Sequence, residues 1–154
     1  MIEEGAERDD GGLLQIRRAF AEGGLERGIG RTLGIAGVEA DFGRVVLTGS
    51  PTPDHYNPLG TVHGGYVATM LDSAIGLAVH TSLPAGVGYS TTDLKISYLR
   101  ALTAKSGPLR SEGSLLHAGR RVAFGEAKLF DAEGRMCAHA TATCLILASR
   151  PGAE

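Results

Sequence analysis

One carboxylate and one stretch of backbone in this sequence have the spacing for acyl chemistry. Asn57-Pro58-Leu59-Gly60-Thr61-Val62-His63-Gly64-Gly65 leads into a segment of helical apolar periodicity, and Asp72 sits two turns inside it. A helix starting at Gly64-Gly65 leaves its first N–H groups without partners, at the positive end of the helix dipole. Such a terminus receives an anion or a polarised carbonyl oxygen. Asp72 lies about 120° from the centre of the apolar stripe, in line with Gly65, Ala68 and Gly76, so its carboxylate runs along a groove without bulky side chains. A mid-helix glycine costs about 1 kcal/mol against alanine, and Gly76 therefore signals the close approach of another backbone or a ligand. An acyl group held at the helix start would meet a carboxylate from a neighbouring chain or from the same helix. An oxyanion site with a nucleophile or general base is what acyl transfer to water requires. Taken singly, Asp72 is more simply a solvated residue at a stripe edge, and the glycines a bare loop-to-helix turn; the conjunction points to chemistry.

The elements that must position this set follow from periodicity. Val67, Met70, Leu71, Ala74, Ile75, Ala78 and Val79 match the i, i+3, i+4, i+7 template, predicting a long helix from near His63 to before Leu83-Pro84-Ala85-Gly86. Upstream, Leu13, Ile16, Ala19 and Phe20 predict a short amphipathic helix that Gly23-Gly24 stops. The period then changes to that of a hairpin: a first strand through Leu33, Ile35 and Val38, a turn at Asp41 to Gly43, and a second strand from Arg44 to Thr48. Three prolines between Ser50 and Gly60 make that segment a shaped loop. Tyr89 to Leu102, Leu109 to Leu116, Val122 to Phe130 and Met136 to Leu147 read as strands, separated by turns at Gly107-Pro108, Gly119 and Asp131 to Gly134. Ala123, Gly125 and Ala127 share one strand face, and Ala138, Ala140, Ala142 and Cys144 another, which leaves room for something bulky. One long helix is available to fill it. The expected class is therefore α+β with a hot-dog-like fold: an antiparallel sheet wrapped around one long central helix, with a short N-terminal helix. A single helix cannot cover both sheet faces and an active groove, so a homodimer is the minimum assembly and a dimer-of-dimers tetramer its natural extension.

The chain has 154 residues, 43% hydrophobic and 21% charged, enough for one domain. We expect it over 13–148, after a flexible acidic leader at 1–12 and before a tail at 149–154. With 15 basic against 17 acidic side chains and no basic block, no surface for nucleic acid is expected. No run approaches the roughly 18 apolar residues of a membrane span. Glu3, Glu4, Glu7, Asp9 and Asp10 against Arg8 are the opposite of a basic signal peptide, so a cytoplasmic location is expected. Cys137 and Cys144 fall on one expected strand about 23 Å apart and on opposite faces, as free core thiols. There is no Gly-x-Ser-x-Gly elbow, and the histidines at 55, 63, 80, 117 and 139 lack metal-ligand spacing, so neither metal nor cofactor is expected. Gly28 to Gly34 resembles a dinucleotide loop, but its third glycine comes one residue late and it precedes a strand.

The Asn57 to Gly65 run with Asp72, then Ser90-Thr91-Thr92-Asp93-Leu94-Lys95-Ile96-Ser97-Tyr98-Leu99-Arg100, Gly119-Arg120-Arg121 and Ala138-His139-Ala140-Thr141-Ala142-Thr143, resembles the hot-dog-fold acyl-CoA thioesterases of the phenylacetate-degradation (PaaI) type. The resemblance covers about residues 30–148. It implies that the Gly64 N–H, with Gly65 beside it, polarises the thioester carbonyl while His63 shapes the loop. It further implies that Asp72 of a partner subunit attacks the carbonyl or activates a water, which Asn57 orients, and that Thr91, or alternatively Ser90, is a hydroxyl beside the carboxylate. Arg120 and Arg121 match positions that face the CoA nucleotide, and CoA is then part of the substrate rather than a cofactor. Two other readings share the fold: a domain that binds acyl-CoA or an acyl carrier without hydrolysis, and a hydratase or dehydratase, which needs a histidine placed for proton transfer. Tyr66, Met70, Leu71 and Tyr98 could line an acyl pocket or simply pack the core.

Overall fold

The apolar stripe centred on Met70, Leu71, Ala74 and Ile75 fixes one helix as the core of the molecule. In the computed structural model, which describes residues 9–148, that helix is α3 (Gly64–His80). Before it come α1 (Gly11–Ala21), α2 (Gly28–Leu33), β1 (Ile35–Asp41) and β2 (Arg44–Gly49), and a single 3-10 turn at Pro53–His55 in the proline-rich loop. After it come β3 (Gly88–Tyr98), β4 (Leu109–Ala118), β5 (Val122–Phe130) and β6 (Met136–Leu147). Most of the leader (1–8) and all of the tail (149–154) lie outside the described residues; Gly11 and Gly12, assigned to the leader, begin α1.

All six strands form one antiparallel sheet in the order β1-β2-β4-β5-β6-β3, with α3 against its inner face. Every residue of the helical stripe is buried. Met70, Leu71 and Ile75 are fully enclosed, each contributing about 1.5–3 kcal/mol of apolar burial. The small strand faces serve as expected: Ala123, Ala127, Ala138, Ala140, Ala142 and Cys144 are all buried. The approach is closest at Gly113, where a Cβ would stand 2.1 Å from the Ala74 carbonyl oxygen. The result is a hot-dog fold, a sheet curled around one helix.

Three local expectations are corrected. Leu33 closes α2 instead of opening β1, because six residues ended by left-handed Gly34 are too few to show a helical period. β3 stops at Tyr98 instead of Leu102: the Leu99 and Arg100 N–H groups both turn to the Cys137 carbonyl, and the Leu102 carbonyl instead receives the Val62 N–H at 2.8 Å. Cys137 and Cys144 are both buried free thiols, but not on opposite faces of a regular strand. A bulge pairs Leu129 with Ala138 and Phe130 with Met136, leaving Cys137 over as the extra residue packed into the core. No helix among the described residues is long and apolar enough to cross a membrane.

Candidate active site

The loop before α3 is built to hold a helix start in one place. Asn57 Oδ1 accepts the N–H groups of Leu59 (2.9 Å) and Thr61 (3.3 Å), and its Nδ2 donates to Thr61 Oγ1 at 2.9 Å. Its side chain is therefore a staple of the loop. The His63 N–H donates to the His55 carbonyl at 2.8 Å, and the His63 side chain caps α3, its Nδ1 accepting the Gly65 N–H at 2.7 Å. This corrects the expectation that both glycines present free donors: the Gly65 N–H is taken by His63. Gly64 provides the first-turn N–H that the helix leaves without an intrahelical partner. It borders a cavity of about 340 Å³ lined also by Asn57, Val62, Val67, Tyr98 and Arg100. Tyr98 lies over Gly64 and donates from its hydroxyl to the Gly64 carbonyl at 2.9 Å.

Asp72 is half-buried and accepts the Thr91 hydroxyl on Oδ1 at 2.9 Å, while Oδ2 receives no hydrogen bond among the described residues. That choice between Thr91 and Ser90 follows from strand alternation: Ser90 is exposed on the other side of β3. The close approach expected at Gly76 is made by a side chain, since a Cβ there would stand 2.4 Å from the Tyr89 hydroxyl. Burial, reinforced by the Asp72 charge, pushes the Tyr89 phenol up to about 12, so it remains neutral beside the carboxylate. Burial also pushes the Cys144 thiol up, with the Thr91 hydroxyl acting against it, and raises Cys137. Thiols held neutral make poor nucleophiles.

Gly64 and Asp72 are eight positions apart, about 12 Å along the helix axis. One acyl carbonyl cannot touch both in the same chain, which removes the same-helix arrangement. Arg120 and Arg121 are exposed in the turn between β4 and β5 and line a groove of about 730 Å³ with Ser82, Pro84 and Val87. That groove lies at the C-terminal end of α3, so within one chain it is remote from Gly64. Among the described residues, no three His, Cys, Asp or Glu side chains are grouped to hold a metal ion. His139 is a strand residue, its Nε2 2.9 Å from Glu126 Oε2.

Residues 59–138, more than half of the chain, match the model of the thioesterase superfamily. The chain belongs to the thioesterase superfamily. Gly64, Asp72 and Thr91 fall inside the matched segment, and Asn57 just precedes it. A candidate esterase of Halobacterium salinarum is 42% identical to this superfamily member over 69 residues, 44% of each chain, so the match spans less than half of that relative. A solved candidate thioesterase of Ralstonia eutropha JMP134, related to phenylacetic acid degradation, is 32% identical with a TM-score of 0.71, covering 82% of this chain and 98% of that one. The E. coli PaaI protein of the phenylacetic acid degradation operon has the same fold, with a TM-score of 0.77 at 18% identity over 92% of this chain and 97% of its own. The PaaI-type resemblance read from the motifs is thus borne out for family and fold.

Sequence reasoning missed what Tyr98 and Tyr89 do. Each touches α3 from β3, the next strand along the chain, at separations of 13 and 34 residues, beyond the reach of a local pattern.

Proposed function

We propose that this chain hydrolyses an acyl-CoA thioester to a free acid and CoA, working as a homodimer or a dimer-of-dimers tetramer in the cytoplasm. The observation that carries the reading is the Asp72 carboxylate, half-buried, held on one oxygen by Thr91 and bare on the other, on the helix whose start offers the Gly64 N–H. Because the two are about 12 Å apart in one chain, the site is completed by Asp72 of one protomer facing Gly64 of another. β3, which carries Thr91 and Tyr98, is a terminal strand whose outer edge pairs with no strand among the described residues, a surface suited to pairing with a second copy.

In this reading the thioester oxygen receives the Gly64 N–H as negative charge develops on it. Asp72 Oδ2 either attacks the carbonyl carbon, expelling CoA thiolate and leaving an anhydride for water to open, or takes a proton from the water that attacks. Both routes consume one water and yield acid and thiol. Arg120 and Arg121 would then meet the phosphates of CoA, where guanidinium binds bidentately.

Thiol release from short, medium and aromatic acyl-CoAs, wild type beside Asp72→Asn, tests the reading. Hydrolysis that Asp72→Asn abolishes supports it; full turnover by that variant overturns the role of Asp72. Bound CoA with no turnover across the panel would point instead to a domain that binds acyl-CoA or an acyl carrier.

A further inference from the structure

The Gly64 N–H is a single donor on a residue with wide torsional freedom, and an oxyanion donor is useful only when its direction is fixed before the reaction. Two adjacent peptide units control that direction. The unit between His63 and Gly64 has its carbonyl engaged by the Tyr66 N–H at 3.0 Å, and its other pole is the open Gly64 N–H. The unit between Gly64 and Gly65 is held at both poles: its carbonyl accepts the Tyr98 hydroxyl at 2.9 Å and its N–H donates to His63 Nδ1 at 2.7 Å. A peptide unit is planar, so anchoring both poles fixes the plane on one side of Gly64 and restricts how the other can turn.

Resting on the thioesterase reading, we propose that Tyr98 is a positioning residue that, together with His63, clamps the Gly64–Gly65 peptide and so aims the Gly64 N–H at the acyl carbonyl. The clamp has a firm mount. Tyr98 pairs with Ala138 of β6, and the next two N–H groups, of Leu99 and Arg100, close on the Cys137 carbonyl, so the tyrosine is tied to the sheet while His63 belongs to the loop. Its ring also occupies the space above Gly64, where a Cβ would stand 3.1 Å from the hydroxyl. A side chain at residue 64 would therefore press on the same tyrosine that orients its peptide. A donor fixed to a strand is held more tightly than one fixed to a loop alone.

Tyr98→Phe keeps the ring and removes the bond. With the acyl-CoA that wild type hydrolyses fastest, kcat should fall about tenfold, less than the roughly 10²–10³ for losing an oxyanion donor outright, and KM should stay within about twofold. Tyr98→Phe combined with His63→Ala should cost less than the product of the two single losses, because both act on one peptide. The Gly65 amide should also exchange with solvent faster in Tyr98→Phe than in wild type. Unchanged kcat in Tyr98→Phe, while Asp72→Asn is inactive, overturns the proposal and leaves the thioesterase reading standing; so do losses that multiply independently. If wild type hydrolyses none of the acyl-CoAs, the thioesterase reading fails and the Gly65 amide decides the clamp alone: faster exchange in Tyr98→Phe supports it and unchanged exchange overturns it.

Discussion

The two ends of α3 pose the same problem and solve it in opposite ways. At the C-terminal end, fully buried Thr81 donates to the Ala78 carbonyl at 2.6 Å and accepts the Gly43 N–H at 2.7 Å. The Leu83 N–H returns to the His80 carbonyl at 3.0 Å, and the Gly12 N–H of α1 reaches the Leu83 carbonyl at 3.0 Å. His80 Nε2 lies 3.1 Å from Gln15 Oε1, so α1 seals this end. The N-terminal end is equally well held, by His63, Tyr98 and the Asn57 loop, but Gly64, whose N–H has no partner among the described residues, borders a cavity. The unpaired groups of a helix terminus can be closed for stability or kept open for a ligand. This helix does one at each end, which predicts that substitutions at Asp72 and around the open Gly64 terminus cost activity, and those in the backbone contacts that seal the other terminus cost stability.

The sharpest division should come from Asp72→Asn, which we expect to lower hydrolysis by about 10²–10⁴-fold with no loss of melting temperature. Parallel thiol-release and thermal-melt assays check both halves of that statement. Tyr98→Phe should follow, with its drop in kcat of about tenfold and an unchanged melt. At the sealed end, Gly12→Ala sets a Cβ 2.1 Å from the His80 carbonyl oxygen, backbone that cannot turn aside. Such overpacking should cost about 3 kcal/mol in urea unfolding, with kcat preserved. Thr81→Val keeps the volume and strands the Gly43 N–H, for about 2 kcal/mol; a variant as stable as wild type would break the comparison at this end. The smallest effect is one of pH. Burial lowers the His80 pKa, so the unfolded chain takes up that proton more readily than the folded one. Stability contributed by neutral His80 should be present near pH 7 and decline as pH falls through the ordinary imidazole value of 6.5, levelling off below the folded value. Urea midpoints between about pH 7 and pH 5 should fall less in His80→Gln than in wild type.

Much of this architecture was legible because it repeats. Seven apolar positions at helical spacing announce α3, and runs of alanine on alternate strand positions announce the face it rests on. The short α2 carries too few residues to show a period, and its leucine was read as strand. Cys137 shows how one bulge defeats alternation: a single extra residue turns a side chain from one face to the other. The candidate site divides in the same way. Asp72 and the Gly64-Gly65 start were readable from type and spacing, while the engagement of Gly65 by His63 and of Asn57 by its own loop depends on side-chain torsions that no spacing records.

The sequence by itself determined which residues could do chemistry, the helix that bears them and the layered class of the fold, because residue type and periodicity are properties of the chain read along its length. Only the tertiary structure decided that Thr91 and not Ser90 meets Asp72, that Tyr89 fills the space over Gly76, and that Tyr98 holds the Gly64 carbonyl. Those contacts join residues 13 to 34 positions apart. They exist because α3 and β3 come together across the fold, and the distance between two side chains there is set by packing against the rest of the sheet rather than by anything in the intervening sequence.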